Sequence, residues 1–259
     1  MRSRVVAFAA GLVLLAAGGV ALTQGADAAA VPVHHPTRLA HVGDARQLVV
    51  VTSRSNPSSY ASLRTYQLGA NGTWTERFAA MPARVGYAGW VPAASRVQDT
   101  GTTPQGTFRL TEAFGLRANP GTRLRYRPVD GNDYWVGDQR DARTYNMWQG
   151  SASARRTWRT GEAERLAAYP TQYEYAAVID FNRPATATVK WDGTRGQWYT
   201  TTPASTRRGS AIFLHVNGAG STAGCVSLRR ADLLAVLTWL DPAQRPRIVM
   251  APEAQIGTA

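Results

Sequence analysis

The sequence predicts a mainly β fold in a single domain. Three observations carry the prediction. Short apolar runs rich in β-branched and aromatic residues recur between turn residues, only one segment holds a sustained helical period, and the chain beyond residue 30 suits one core rather than two.

The elements follow in order. Arg2 and Arg4 precede an apolar run from Val5 to Leu22, and Ala26-Asp27-Ala28-Ala29-Ala30 follows it. A basic start, an apolar stretch and small residues at a cleavage position predict a secretory signal peptide over 1–30, cut after Ala28 or Ala30; the alternative is an uncleaved membrane anchor. No later stretch approaches the length of a membrane span, so no integral membrane segment is expected after cleavage. Residues 31–45 read as a linker that contains His34, His35 and His41, and the domain proper runs over 46–259. Adjacent histidines point apart in an extended chain, so no metal site is expected there.

Leu48–Thr52, Leu63–Leu68, Thr73–Phe78, Thr107–Leu110, Glu174–Asp180 and Ala211–Val216 read as strands. Ala70-Asn71-Gly72 makes a hairpin between the second and third. The last two runs are apolar nearly throughout, the pattern of central strands covered on both faces. Thr103-Pro104-Gln105-Gly106 has the composition of a type I turn leading into the Phe108 strand. One helix begins near Arg229, with Leu233, Val236, Leu237 and Leu240 on one face, and Asp241-Pro242 stops it. A second, shorter helix is read near Gly161 to Ala168.

The formal charge is +12, almost all of the positive side from arginine, Lys190 being the only lysine. Such a surface attracts anionic polymers of a cell envelope or is simply solvated; no arginine run or recognition motif points to nucleic acid. One cysteine forms no internal disulfide, so stability comes from burial and backbone pairing, and the thiol is left over.

That thiol is Cys225, in Ser221-Thr222-Ala223-Gly224-Cys225-Val226-Ser227-Leu228, and it lies ten residues after His215, the only histidine beyond position 41. A thiol with one imidazole close upstream is what a cysteine nucleophile with a general base requires, and acyl transfer through a thioester is the natural reaction class. The intervening loop must fold back for the two to meet, and Gly218, Gly220 and Gly224 give it freedom. Glycine at 224 also lets a backbone N–H approach an oxyanion, while the nearby imidazole and the start of the helix are expected to lower the thiol's pKa. A buried structural cysteine beside a core histidine is the alternative.

Phe213-Leu214-His215-Val216-Asn217-Gly218 followed by the Cys225 block resembles the catalytic signature of the L,D-transpeptidase (YkuD-type) family. Thr103-Pro104-Gln105-Gly106-Thr107-Phe108 with Ala113-Phe114-Gly115 is similar to that family's Thr-Pro-x-Gly-x-Phe element, and Tyr145-Asn146 to a segment of its actinobacterial branch. The resemblance covers roughly residues 45 to 250. It implies an exported β-sandwich or barrel domain in which Cys225 takes the acyl group of a peptidoglycan stem tetrapeptide and releases D-alanine. A second stem's amine then resolves the thioester as a cross-link.

Residue by residue, the resemblance makes Cys225 the nucleophile and His215 the base. The N–H groups of Gly224 and Cys225 become the oxyanion hole, and the Val216 carbonyl orients the imidazole. Ser221 and Thr222 are expected to contact substrate, with Arg229 or Arg230 holding a carboxylate or else solvated. Neither cofactor nor metal is implied. Carbapenem-like β-lactams are expected as covalent inhibitors, and the location is outside the cell or at its wall. A carboxypeptidase or endopeptidase hydrolysing the same thioester, and a catalytically silent wall-binding module, are the alternative functions.

Overall fold

The computed structural model describes residues 31–259; the expected signal peptide lies outside the described residues. Pro32–Ala259 forms one compact unit. Its strands in chain order are β1 (Gln47–Ser53), β2 (Tyr60–Leu68), β3 (Trp74–Glu76), β4 (Met81–Arg84), β5 (Trp90–Pro92), β6 (Thr103–Gly115), β7 (Arg125–Pro128) and β8 (Tyr134–Val136). They continue as β9 (Trp148–Gln149), β10 (Ala163–Arg165), β11 (Ala176–Ile179), β12 (Val189–Asp192), β13 (Gln197–Thr200), β14 (Phe213–Val216), β15 (Val226–Leu228) and β16 (Arg247–Pro252). The one α-helix among the described residues is α1 (Arg230–Trp239).

Eight strands pair in the order β1-β16-β6-β11-β14-β15-β4-β2, and a further β1–β2 pairing closes the ring into a barrel. Closure removes the exposed edges that an open sheet of this size would present. Alternate residues enter two environments. Val49, Val51, Leu110, Ala177, Leu214, Val216, Val226 and Leu228 share one core with Leu233, Val236 and Leu237 of α1. Phe114, Ala176, Val178, Phe213 and Cys225 face the other way, into a second core with Trp135, Leu166 and Tyr173. The three-stranded sheet β10-β8-β9 contributes Trp135 to that cover. Both faces are therefore packed, which is why β11 and β14 are buried at every position, without alternation.

The mainly β class, the hairpin at Asn71-Gly72 and the helix after the cysteine all appear in the structure. Gly72 takes φ +78° and Asn71 Oδ1 accepts from the Thr73 N–H, so the turn residues act as their types dictate.

Three expectations are corrected. Thr103–Gly106 is not a turn but the first part of β6, paired in parallel with β5 through Trp90–Thr103 and Val91–Pro104. Tertiary pairing overrides the turn composition there. No α-helix forms near Gly161–Ala168; the strand β10 sits between two single 3-10 turns. Pairing of Ala163–Arg165 with β8 takes the place of helical hydrogen bonds. The segment read as a linker packs on the barrel instead. His35 caps a 3-10 turn at Pro36–Arg38 and its ring meets Tyr66 edge-on at 5.7 Å. Leu39 and Ala45 bury themselves over Leu48, Val50 and Val249, covering apolar surface that the closed sheet would otherwise expose.

Candidate active site

Strands β14 and β15 run parallel with Leu214 opposite Val226 and His215 opposite Ser227. Paired residues in a parallel ladder point to the same face, so Phe213, His215, Cys225 and Ser227 all project outward from the barrel. Extending the register by one places Cys225 opposite Phe213, one diagonal step from His215. The short return loop is held at Thr222: its N–H donates to the Val85 carbonyl at 3.0 Å, and its carbonyl accepts from the Tyr87 N–H at 2.8 Å. His215 and Cys225 line one pocket of about 630 Å³, together with Arg96, Glu164, Tyr173 and Thr222.

His215 is 6% exposed and its Nδ1 lies 2.7 Å from the Val216 carbonyl. A carbonyl only accepts, so Nδ1 carries the proton and Nε2 keeps a lone pair. Burial holds the imidazole's pKa down to about 4, against the raising effect of the Val216 hydrogen bond. Tyr173 packs edge-on to the ring at 5.7 Å between centroids. The fully buried Ser227 Oγ beside it has no hydrogen-bond partner among the described residues.

Cys225 Sγ is 3.2 Å from the Ala211 carbonyl and accepts from the Phe213 N–H at 3.3 Å. Burial, and secondarily the Glu164 carboxylate, push the thiol up to about 12; the Phe213 N–H and Arg96 pull it back down. This corrects the expected lowered pKa. The resting pair is a neutral thiol and a neutral imidazole, and no hydrogen bond joins them among the described residues. Cys225 and the apolar side chains of α1 lie in different cores, on opposite faces of the sheet.

Arg96 is a residue of this pocket that motif reading missed. It is 4% exposed and has no ion pair among the described residues. Its Nε donates to the Thr102 carbonyl and its Nη1 to the Arg208 carbonyl, each at 2.8 Å. Its path is cut through two glycines. A Cβ at Gly209 would overlap Nη1, and one at Gly224 would sit 2.8 Å from both Nη2 and the Thr102 carbonyl, with φ of +137° at Gly224. Nothing local marks Arg96 in the sequence, since it lies far upstream of the cysteine block and within an unremarkable loop.

The family model of the L,D-transpeptidase catalytic domain, YkuD, matches residues 58–249. The chain belongs to the YkuD family. No curated protein and no solved structure matches it. The family is enzymatic, and its general activity is L,D-transpeptidase modification of peptidoglycan.

Within this YkuD domain, the other expected site residues take the following places. Thr222 is buried and faces the backbone: its hydroxyl donates to the Cys225 carbonyl at 2.6 Å and accepts from the Gly224 N–H at 3.1 Å. The Gly224 N–H expected in the oxyanion hole is thereby engaged by a side chain, and Thr222 holds the cysteine turn in shape. Ser221 remains exposed on the pocket wall. Arg229 lies outside the pocket; its fork binds Asp232 at 2.8 and 3.2 Å at the start of α1. Arg230 pairs with Glu174 at 2.9 Å. Both arginines serve carboxylates of the protein itself. Asn146, in left-handed conformation at φ +57°, accepts from Trp135 Nε1 and the Ala211 N–H and donates to the Phe181 and Asn182 carbonyls. It ties the segment over the pocket to the chain entering β14.

Proposed function

We propose that the protein is an exported, wall-acting cysteine acyltransferase of the L,D-transpeptidase type, with Cys225 as nucleophile and His215 as base. The observation that carries the reading is the shared outward face of two adjacent parallel strands, on which His215, its Nδ1 committed to Val216, and Cys225 open into one pocket.

The chemistry starts from the neutral pair. Arrival of a peptide carbonyl displaces the Sγ–H from Ala211, and the proton passes to His215 Nε2 as sulfur attacks the acyl carbon. A low imidazole pKa makes the resulting imidazolium a ready acid, which protonates the departing amine of D-alanine. Arg96 supplies the positive charge for the developing thiolate or oxyanion, because a buried guanidinium without a carboxylate partner leaves an electrostatic need that an anion in the pocket meets. The Gly224 N–H joins the oxyanion's donors when Thr222 yields it. Export to the wall rests on the signal-peptide pattern at 1–30 and on the substrate's location; no helix among the described residues is long and apolar enough to cross a membrane.

The test is intact-mass analysis of the mature chain with a disaccharide tetrapeptide. An acyl adduct on Cys225 with stoichiometric D-alanine release, absent in Cys225→Ala and His215→Ala, supports the reading. Absence of adduct in the wild type counts against it, and release without transfer to any amine assigns hydrolysis instead.

A further inference from the structure

The pocket around Cys225 reverses the sign of the chain that builds it. The formal charge of the protein is +12, yet Asp99, Glu162 and Glu164 line the pocket against one arginine, Arg96. Two of these acids are accounted for: Asp99 is exposed, and Glu162 pairs with Arg159 at 3.5 Å. Glu164 differs. It is half-buried on β10, and among the described residues its carboxylate's one hydrogen bond comes from the Tyr173 hydroxyl at 2.5 Å. No cation pairs with it among the described residues, and the adjacent Arg165 reaches instead for the Gly131 carbonyl at 2.7 Å.

A carboxylate has about four lone-pair positions, so one hydrogen bond leaves most of its capacity unused. Two aromatic rings stand with it. Tyr169 and Tyr173 both line the pocket, 5.4 Å apart between centroids with their planes inclined at 61°. Ring faces attract cations, and a carboxylate beside an exposed tyrosine ring is chemistry that recognises an alkylammonium group; Tyr169 is 40% exposed, while the buried Tyr173 holds the carboxylate through its hydroxyl. The Tyr173 hydroxyl touches Glu164 while its ring edge meets His215, so this corner is one side chain away from the base. Burial also pushes the Glu164 carboxyl up to about 7, within reach of a proton exchange near neutrality.

We propose that Glu164, with Tyr169 and Tyr173, is the subsite for the primary amine that resolves the acyl-enzyme. The assignment rests on the acyl-transfer reading and adds to it the residues that receive the acceptor amine. The amine enters as an ammonium ion and gives one proton to the Glu164 carboxylate. The free amine attacks the thioester carbon, loses its second proton to His215 Nε2, and the C–S bond breaks. The sulfur leaves as thiolate and takes that proton from the imidazolium. The products are an amide, the Cys225 thiol, neutral His215 and a protonated Glu164 that then loses its proton to solvent, so atoms and charge balance. Water needs no such site.

The experiment follows the fate of acyl-enzyme, with the full mature chain, a tetrapeptide donor and Nα-acetyl-lysine amide as the amine. The ratio of aminolysis to hydrolysis cancels any effect on formation of the thioester. Glu164→Gln is expected to lower this ratio at least tenfold, chiefly through a higher half-saturating amine concentration, and Glu164→Asp to restore part of it. Independently of any variant, unreactive Nα-acetyl-Nε-trimethyl-lysine amide is expected to slow aminolysis more than Nα-acetyl-norleucine amide does. An unchanged ratio in Glu164→Gln, or equal inhibition by the cationic and neutral compounds, overturns the subsite. A wild type that forms no adduct overturns the acyl-transfer reading and the subsite with it.

Discussion

Lowering the pH tests the burial of His215 directly. The imidazole titrates near 6.5 in an unfolded chain and is held to about 4 in the fold, with burial as the leading cause. A depressed folded-state pKa means that the neutral ring is preferred by the native structure. The associated stability is therefore present above pH 6.5 and is lost as the pH falls from there through 4. The linkage relation puts the loss at about 2 kcal/mol by pH 5 and about 3 kcal/mol by pH 4, a large part of a typical domain's stability. The assay is urea denaturation of wild type and His215→Gln across pH 4 to 8. The other titrating groups are common to both proteins and largely cancel in the difference. The wild type is expected to lose about 3 kcal/mol relative to the variant between pH 7 and 4. Parallel stability curves would refute the reasoning, because they require an imidazole that titrates alike in both states. The same depression keeps His215, the proposed base, unprotonated in mild acid, so the acylation rate is expected to show no inflection from it near pH 6.5.

Further outcomes follow from the neighbouring groups. Alkylation of Cys225 by iodoacetamide is expected to keep accelerating beyond pH 9, since burial pushes the thiol up to about 12; a plateau below pH 8 would reveal a preformed thiolate. Arg96→Met removes the one cation that favours the thiolate, and acylation should fall about tenfold or more, the equivalent of one pKa unit, in stopped-flow mass analysis. Gly224→Ala forces a side chain to φ +137° and into Arg96 and Thr102, so calorimetry should show a loss of roughly 2 kcal/mol or more. Thr222→Val leaves the Gly224 N–H and the Cys225 carbonyl without their side-chain partner, a cost of about 1–3 kcal/mol that Thr222→Ser should largely restore.

The strands at Leu48–Thr52, Glu174–Asp180 and Ala211–Val216, the Asn71-Gly72 hairpin and the helix from residue 230 were legible because each depends on nearby residues. β-branched runs, turn residues and a 3.6-residue period act over a few positions. Cys225 and His215, the nucleophile and base proposed above, stood out as candidates for a related reason: a single cysteine and a single late histidine lie within ten residues, and the Val216 carbonyl adjoins the ring it holds. Other features escaped because they depend on distant partners. Thr103–Gly106 has the composition of a turn, but β5 makes it a strand. The linker over 31–45 contains Leu39 and Ala45 as apolar points, and only the closed barrel presents the surface they cover.

What the amino-acid sequence determined alone was the chemistry available: one thiol, one imidazole beside a flexible glycine-rich loop, and strands enough for a closed β domain. The tertiary structure decided how that chemistry is set. It buried both groups so that they rest neutral, turned Thr222 inward and Arg229 outward, and brought Arg96 and Glu164 to the same pocket from remote loops and strands. Proton affinities depend on solvent exclusion and on charges contributed through space, and those are properties of the packed barrel that no local run of residues encodes.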